Sequence, residues 1–309
     1  MTNLDKITKA VFPVAGLGTR FMPATKAHPK EMIPILDKPL IQYAVEEAIE
    51  AGITQLIFIT SNSKRPIEDH FDNNFELEQR LEKSKKFDLL NEIRNIIPED
   101  VSCIYIRQKE PLGLGHAVQC AKSVIGNEPF AVLLADDLFM GTSKNTLKNM
   151  ISHTQSTGAA SIAVEKIIDT TQYGIVDCTP AKNTFKPVSK IIEKPNAENA
   201  PSNFGVIGRY VLPPSIFSIL ENTLAGSGGE IQLTDAIATL LEKEAMDAYH
   251  IEGVRYDCGS KLGFLKATIA SAMSNKQLKA PLLEHLNEII SSENKNKIEK
   301  TSIPELSES

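Results

Sequence analysis

The chain has 309 residues, 42% of them hydrophobic and 23% charged, with a formal net charge of -6. That length buries an ample core in one large domain or two small ones. The acidic balance, with no low-complexity tract, argues against broad affinity for nucleic acid or a membrane surface. No apolar run approaches membrane-spanning length, and the opening MTNLDKITK lacks the apolar stretch of a leader. The four cysteines, Cys103, Cys120, Cys178 and Cys258, form no Cys-x-x-Cys pair and read as buried reduced thiols, so a cytoplasmic protein is expected.

In chain order, an apolar run from Ala10 to Val14 predicts a strand that feeds a loop holding Gly16 and Gly18, then Arg20, Lys26 and Lys30. Glycines let backbone N-H groups approach an anion, and three basic side chains add charge to that concavity. The loop is not a dinucleotide fingerprint, because Phe21 stands where the third glycine would be, and no Gly-Lys-Ser/Thr follows. LIQYAVEEAIEA predicts a helix entered at Pro39 and stopped at Gly52, and Leu56 to Thr60 predicts a buried strand parallel to the first. Residues 64–95 read as a charged helical insertion with a solvated face. A strand over Val101 to Ile106 then leads through Gln108 and the bend PLGLG to a helix expected over His116 to Val124.

FAVLLADD reads as a strand buried on both faces and ending in Asp136 and Asp137. A turn or helix-capping acid is the plainer use; the sharper one is a Mg²⁺ ligand, since that ion takes one or two carboxylates and fills its shell with phosphate and water oxygens. Beyond Ala159, SIAVEKI, GIVDC, VSKIIEK and FGVIGRYVL predict strands with some antiparallel pairing. Glu193 and Lys194 of IIEKP reach one ligand only if the strand ends or bends there. GGEIQLTDAI predicts a helix whose first turns hold Glu230, Thr234 and Asp235, with capping as the plain role of Asp235. AYHIEGVRYDCG reads as one late strand ending in Asp257, and GFLKATIASAM as a helix. From about Asn275 only LLEHLNEII is amphipathic, and the polar run after it is expected to be disordered.

The stretch GLGTRFMPATKAHPKEMIPILDKP, followed in order by RQKEPLGLGHAV, YGIVDC, IIEKP, GRYVL, GGEIQLTDAI and YDCGSKLG, resembles the sugar-nucleotide pyrophosphorylases, in their uridylyl branch. The resemblance covers about Ile7 to Met273. It implies an α/β fold with a Rossmann-like mixed, mostly parallel central sheet flanked by helices, extended by a smaller β-rich sugar-binding part. The division it implies is a single nucleotidyltransferase domain over 1–274, with a nucleotide-binding part at about 7–150 and a sugar-binding part at about 151–262. A C-terminal helix and a polar tail over 275–309 complete the chain.

The implied activity is nucleotidyl transfer from UTP to glucose 1-phosphate, giving UDP-glucose and pyrophosphate with Mg²⁺. By motif, Ala15, Gly16 and Lys26 meet the nucleotide, Arg20 and Lys30 its phosphates, and Gln108 and Gly113 the uracil. Gly174 and Glu193 face the sugar, Lys194 its phosphate, and Asp136 and Asp257 the metal; whether Asp136 or Asp137 is the main ligand stays open. His28, where relatives often carry an apolar residue, reads as a surface substitution. The acceptor is a phosphate already ionised at neutral pH, so the lack of a poised His or Cys nucleophile fits this chemistry. A thymidylyl or other sugar-nucleotide pyrophosphorylase, a noncatalytic sugar-nucleotide-binding paralogue, and a glycosyltransferase of related architecture are the rival readings. A homodimer or homotetramer is expected by analogy, with LLEHLNEII as a candidate contact.

Overall fold

The computed structural model describes residues 6–141 and 145–301. The first half alternates strand and helix: β1 (Lys9–Pro13), α1 (Leu40–Glu50), β4 (Gln55–Thr60), α2 (Arg65–Phe71), α3 (Phe75–Lys83), α4 (Phe87–Arg94), β5 (Ser102–Arg107), α5 (Leu114–Cys120), α6 (Lys122–Ile125) and β6 (Phe130–Leu133). Two-residue strands β2 (Pro34–Ile35) and β3 (Lys38–Pro39) close a small hairpin before α1. The second half holds β7 (Asp137–Met140), α7 (Thr146–Thr157), β8 (Ala160–Lys166), β9 (Gly174–Val176), β10 (Phe185–Pro187), β11 (Ile191–Glu193) and β12 (Phe204–Leu212). It continues with α8 (Ile216–Leu220), α9 (Leu233–Leu240), β13 (Met246–His250), β14 (Val254–Asp257), α10 (Lys261–Ser274) and α11 (Lys279–Thr301).

One ten-stranded sheet runs β10-β13-β8-β12-β6-β1-β4-β5, with β9 and β11 branching from β12. The β6-β1-β4-β5 end is parallel, as short strands joined through helices require. β12 runs antiparallel to both β6 and β8, and every one of its nine residues is buried. Side-chain alternation sorts the core into two layers. Val11, Ile57 and Ile59 pack with residues of α5, α8 and α9, whereas Ala10, Phe12, Leu56 and Phe58 pack with α1 and α7. Parallel register sets Phe12 opposite Phe58 and Phe58 opposite Tyr105, and the three rings stack with centroids 5.0 and 5.3 Å apart.

Local readings needed four corrections. The helix expected over His116 to Val124 breaks at Ala121 and starts already at Leu114, because Gly113, at φ 103°, turns the chain there and its carbonyl accepts the Ala117 N-H at 3.1 Å. The FAVLLADD strand stops at Leu133, and Asp137 opens β7, which pairs with β14 in a second, two-stranded sheet. AYHIEGVRYDCG is two strands, not one: Gly253, at φ 90°, sends β14 out of the main sheet. The polar run expected to be disordered continues α11 as far as Thr301; its last residues, 302–309, lie outside the described residues.

Candidate active site

Two adjoining clefts open at the carboxyl ends of the parallel strands, where open α/β sheets place ligands. The first, of about 450 Å³, lies between the β1 loop and the bend after β5, with Ala15, Gly16, Gly18, Gln108 and Gly113 in its wall. The second, of about 590 Å³, is lined by Arg20, Asp136, Tyr173, Gly174, Glu193, Lys194, Arg255 and Asp257 among others. Leu114 and Glu230 belong to both walls, so the clefts meet.

In the first cleft Gly16 has nothing within 4 Å of where a β-carbon would stand, which leaves its backbone open to a ligand. Gly113 could carry no side chain, because a β-carbon there would meet Glu230 and the Ile231 carbonyl at 2.8 Å. The buried Gln108 amide donates to the Gly113 carbonyl at 3.2 Å and sits 3.0 Å from His116 Nδ1, which fixes its orientation toward the bend.

Lys30 lies in neither wall but reaches from Gly18 of the first cleft to Asp136 of the second. Its Cβ lies 3.1 Å from the position of a β-carbon on Gly18, and its Nζ donates to Asp136 Oδ2 at 2.6 Å. The next residue, Glu31, accepts from Lys64 Nζ at 2.7 Å, and both side chains are almost wholly buried. That pair ties the basic loop to the turn after β4. Burial works against the charged forms of Lys30 and Asp136 alike, but their mutual attraction prevails, raising the lysine pKa and lowering the carboxyl.

Asp136 Oδ2 and Asp257 Oδ1 each lie 3.0 Å from the point a β-carbon on Gly259 would occupy, with Arg20 Nη1 3.5 Å from the same point. A glycine therefore leaves a small cradle between two carboxylates. Two hard oxygen donors facing an open groove suit a divalent cation that draws its other ligands from phosphate and water. Among the described residues no cluster of three His, Cys, Asp or Glu side chains offers a closed cage.

The two adjacent acids have separate partners. Asp137 is buried against Arg255, whose Nε donates to its Oδ1, while the Arg255 guanidinium lies 5.1 Å from the Tyr173 ring and 3.7 Å from Glu165. Burial alone would lower the Arg255 pKa, but Asp137 and Tyr173 raise it. Arg209, 1% exposed, braces the same turn by donating to the Leu134, Gly208 and Asp137 carbonyls and to Glu47. A β-carbon on Gly208 would stand 2.3 Å from Asp137 Oδ2, so this strand can approach the turn only as glycine.

Glu193 and Lys194 do share the second cleft. β11 ends at Glu193, and Lys194 takes a left-handed backbone, φ 42°, with its N-H on the Tyr173 carbonyl at 3.0 Å. Side chains that a continuing strand would send to opposite faces thus line one cavity, with Lys194 Nζ 3.2 Å from Glu193 Oε1. Gly174 is packed against Thr234, 3.1 Å from a would-be β-carbon.

Of the predicted site residues the structure gathers Ala15, Gly16, Arg20, Lys30, Gln108, Gly113, Asp136, Gly174, Glu193, Lys194 and Asp257 along this groove. Lys30 joins the groove through Asp136 without lining either wall, and Lys26, exposed on a single 3-10 turn, lines neither. His28 is likewise exposed. Tyr173 and Arg255 were not singled out from sequence. Arg255 is two residues before Asp257 on one strand, hence on the same face, and that period was the available signal.

The nucleotidyl transferase family model matches residues 9–273, most of the chain. The chain belongs to the nucleotidyl transferase family. A UTP--glucose-1-phosphate uridylyltransferase of Staphylococcus saprophyticus is 50% identical over 286 residues, 92% of this chain and 99% of that protein. Among solved structures, a UTP-bound UGPase from Acinetobacter baumannii is 51% identical, with TM-score 0.85 over 91% of this chain and 99% of that one. A UDP-glucose pyrophosphorylase complexed with UDP-glucose is 44% identical, with TM-score 0.80 over 87% of this chain and 100% of that one. The mixed α/β architecture around a large central sheet is that of these family members.

Proposed function

We propose that this enzyme joins UTP to glucose 1-phosphate, releasing pyrophosphate and forming UDP-glucose. The observation that carries the reading is that a cleft sized for a nucleoside adjoins one lined by Glu193 and Lys194, with the Lys30–Asp136 pair reaching from the Gly18 loop of the first to the wall of the second. Likeness at about half identity to uridylyltransferases over nearly the whole chain supports the choice of UTP and glucose.

In this reading the base lies against Gln108 and Gly113, and the backbone at Ala15 and Gly16 meets the nucleotide. Arg20 and Lys30 neutralise its phosphates. Gly174 and Glu193 hold the sugar, and Lys194 offsets the acceptor phosphate. An oxygen of that phosphate forms the new bond to the α-phosphorus as the bridging oxygen leaves in line with pyrophosphate, carrying the bonding electrons. No proton has to be removed, so the work of the site is charge neutralisation and alignment. Asp136 and Asp257 would hold Mg²⁺, which supplies charge stabilisation on the phosphates when bound. Asp137 is left to Arg255. Lys26 has no part in this arrangement.

The test is pyrophosphate release from UTP and glucose 1-phosphate with Mg²⁺, run beside a panel of nucleoside triphosphates. UTP should be preferred; equal use of dTTP would favour a thymidylyl enzyme, and no release with any nucleotide a noncatalytic paralogue.

The catalytic unit is taken as residues 1–274, in a cytoplasmic setting; among the described residues no helix is long and apolar enough to cross a membrane. A homo-oligomer is supported by the apolar side chains left exposed on the terminal helices, among them Leu262, Leu265, Leu283 and Ile290.

A further inference from the structure

We propose that Lys30 and the divalent cation are alternative partners of one Asp136 oxygen, so that cation binding hands the lysine over to the nucleotide phosphates. The proposal rests on the reading of Asp136 as a cation ligand and adds an exchange of partners to it.

The same atom is claimed twice. Asp136 Oδ2 accepts the Lys30 ammonium at 2.6 Å, and Oδ2 is also the oxygen that faces Asp257 across the Gly259 cradle. An ammonium and a dication cannot share one oxygen at bonding distance without facing each other as like charges. Oδ2 must therefore choose. The geometry also says where the displaced group goes. Lys30 Cβ and Cγ lie 3.1 and 3.4 Å from the β-carbon position of Gly18, so the stem rests against the glycine loop of the first cleft.

The main chain there is held. Glu31, the neighbouring residue, is locked by the buried Lys64, so side-chain rotation is the freedom left to Lys30. About a quarter of each partner side chain remains exposed, which leaves room for the ammonium to swing. A four-carbon stem pivoting on a fixed backbone moves positive charge from the carboxylate to the phosphates as the cation replaces it. Charge at Asp136 is then never unbalanced, and the nucleotide meets a full cationic set only when cation and nucleotide arrive together.

Binding of Mn²⁺ alone to the nucleotide-free protein, read by titration calorimetry or by the electron paramagnetic resonance of free Mn²⁺, tests this without turnover. Lys30→Met should bind Mn²⁺ at least about tenfold more tightly than the unaltered protein, the scale of one charged hydrogen bond no longer competing. Arg20→Met removes an equal charge from the same cradle but no hydrogen bond to Asp136, and should gain clearly less. Equal gains in the two variants, or no gain in Lys30→Met, would overturn the exchange. Asp136→Asn must weaken Mn²⁺ binding and cancel the Lys30→Met gain. If it leaves Mn²⁺ affinity unchanged, the assignment of Asp136 as a cation ligand is what fails.

Crystals of the unaltered protein with Mn²⁺ alone give a second readout that needs no variant. Lys30 Nζ should have left Asp136 Oδ2; a lysine still hydrogen-bonded to that oxygen beside bound Mn²⁺ refutes the proposal.

Discussion

Replacing Asp136 and Asp137 in turn by asparagine separates a ligand-facing acid from a structural one. Asp137 and Arg255 are 8% and 7% exposed, so Asp137→Asn leaves a guanidinium charge buried without its partner. Breaking a pair so placed costs about 3–5 kcal/mol. Glu165 remains 3.7 Å from the guanidinium and the Tyr173 hydroxyl 3.4 Å, which puts the loss near the low end, about 3 kcal/mol. With a slope of about 3 kcal/mol/M, that moves a urea midpoint down by about 1 M.

Asp136 and Lys30 are each about a quarter exposed, so water can take the place of the lost carboxylate. The expected stability cost of Asp136→Asn is about 0–1 kcal/mol. Its turnover, however, should fall about a thousandfold, the size of several kcal/mol of lost charge stabilisation in the transition state. Urea unfolding and pyrophosphate release, measured on both variants, read the two effects separately. If Asp137→Asn is as stable as the parent and inactive while Asp136→Asn turns over normally, the roles assigned to these acids are reversed.

Other perturbations follow from the same contacts. Lys64→Met should cost about 3–5 kcal/mol by leaving Glu31 buried alone, and Glu31→Leu added to it should recover most of that loss; a single variant as stable as the parent would remove this anchor from the loop. Lys194→Ala and Lys194→Gly should both lose most turnover and bind glucose 1-phosphate poorly. The glycine variant should be the more stable by about 1 kcal/mol because only it relieves the left-handed backbone, and equal melting would deny that strain. His250 is buried, and burial lowers its pKa although its ring bonds the Pro180 carbonyl. Between that lowered value and the ordinary 6.5 the unfolded chain binds more protons, so stability should fall as pH drops below about 6.5, by up to about 1.4 kcal/mol per pH unit. His250→Gln should flatten this slope between pH 7 and 5.5, and an unchanged slope would assign it to other groups.

What the sequence made legible was whatever is local or periodic. FGVIGRYVL is β12 residue for residue, because a strand buried on both faces leaves an unbroken apolar signature. The glycine loop and the strand-end acid Asp257 were visible for similar reasons. What stayed hidden was long-range pairing. Asp137 and Arg255 meet across 118 positions, and nothing near either residue names the other. Without Arg255 in view, the motif favours Asp136 for the metal but leaves Asp137 open beside it. The bend at Lys194 was posed as a condition on the sequence, but only the backbone angle meets it, in a residue type that seldom adopts it. Lys26 belongs to the same basic run, and its 3-10 turn leaves it exposed outside both cleft walls.

β12 has a last consequence. One edge of this nine-residue strand is laced to β6, next to the Gly16 loop, and further along to β9, which starts at Gly174, while β8 runs along the other edge. The two ends of the groove are thus welded through one ladder and cannot swing apart like jaws. Any closing over substrate has to come from the rims, and the second half of a relative could not be spliced in as a cassette, since the cut would fall through a shared strand. Changes of sugar preference are better sought by exchanging rim segments such as the turn at Tyr173 than by swapping whole lobes.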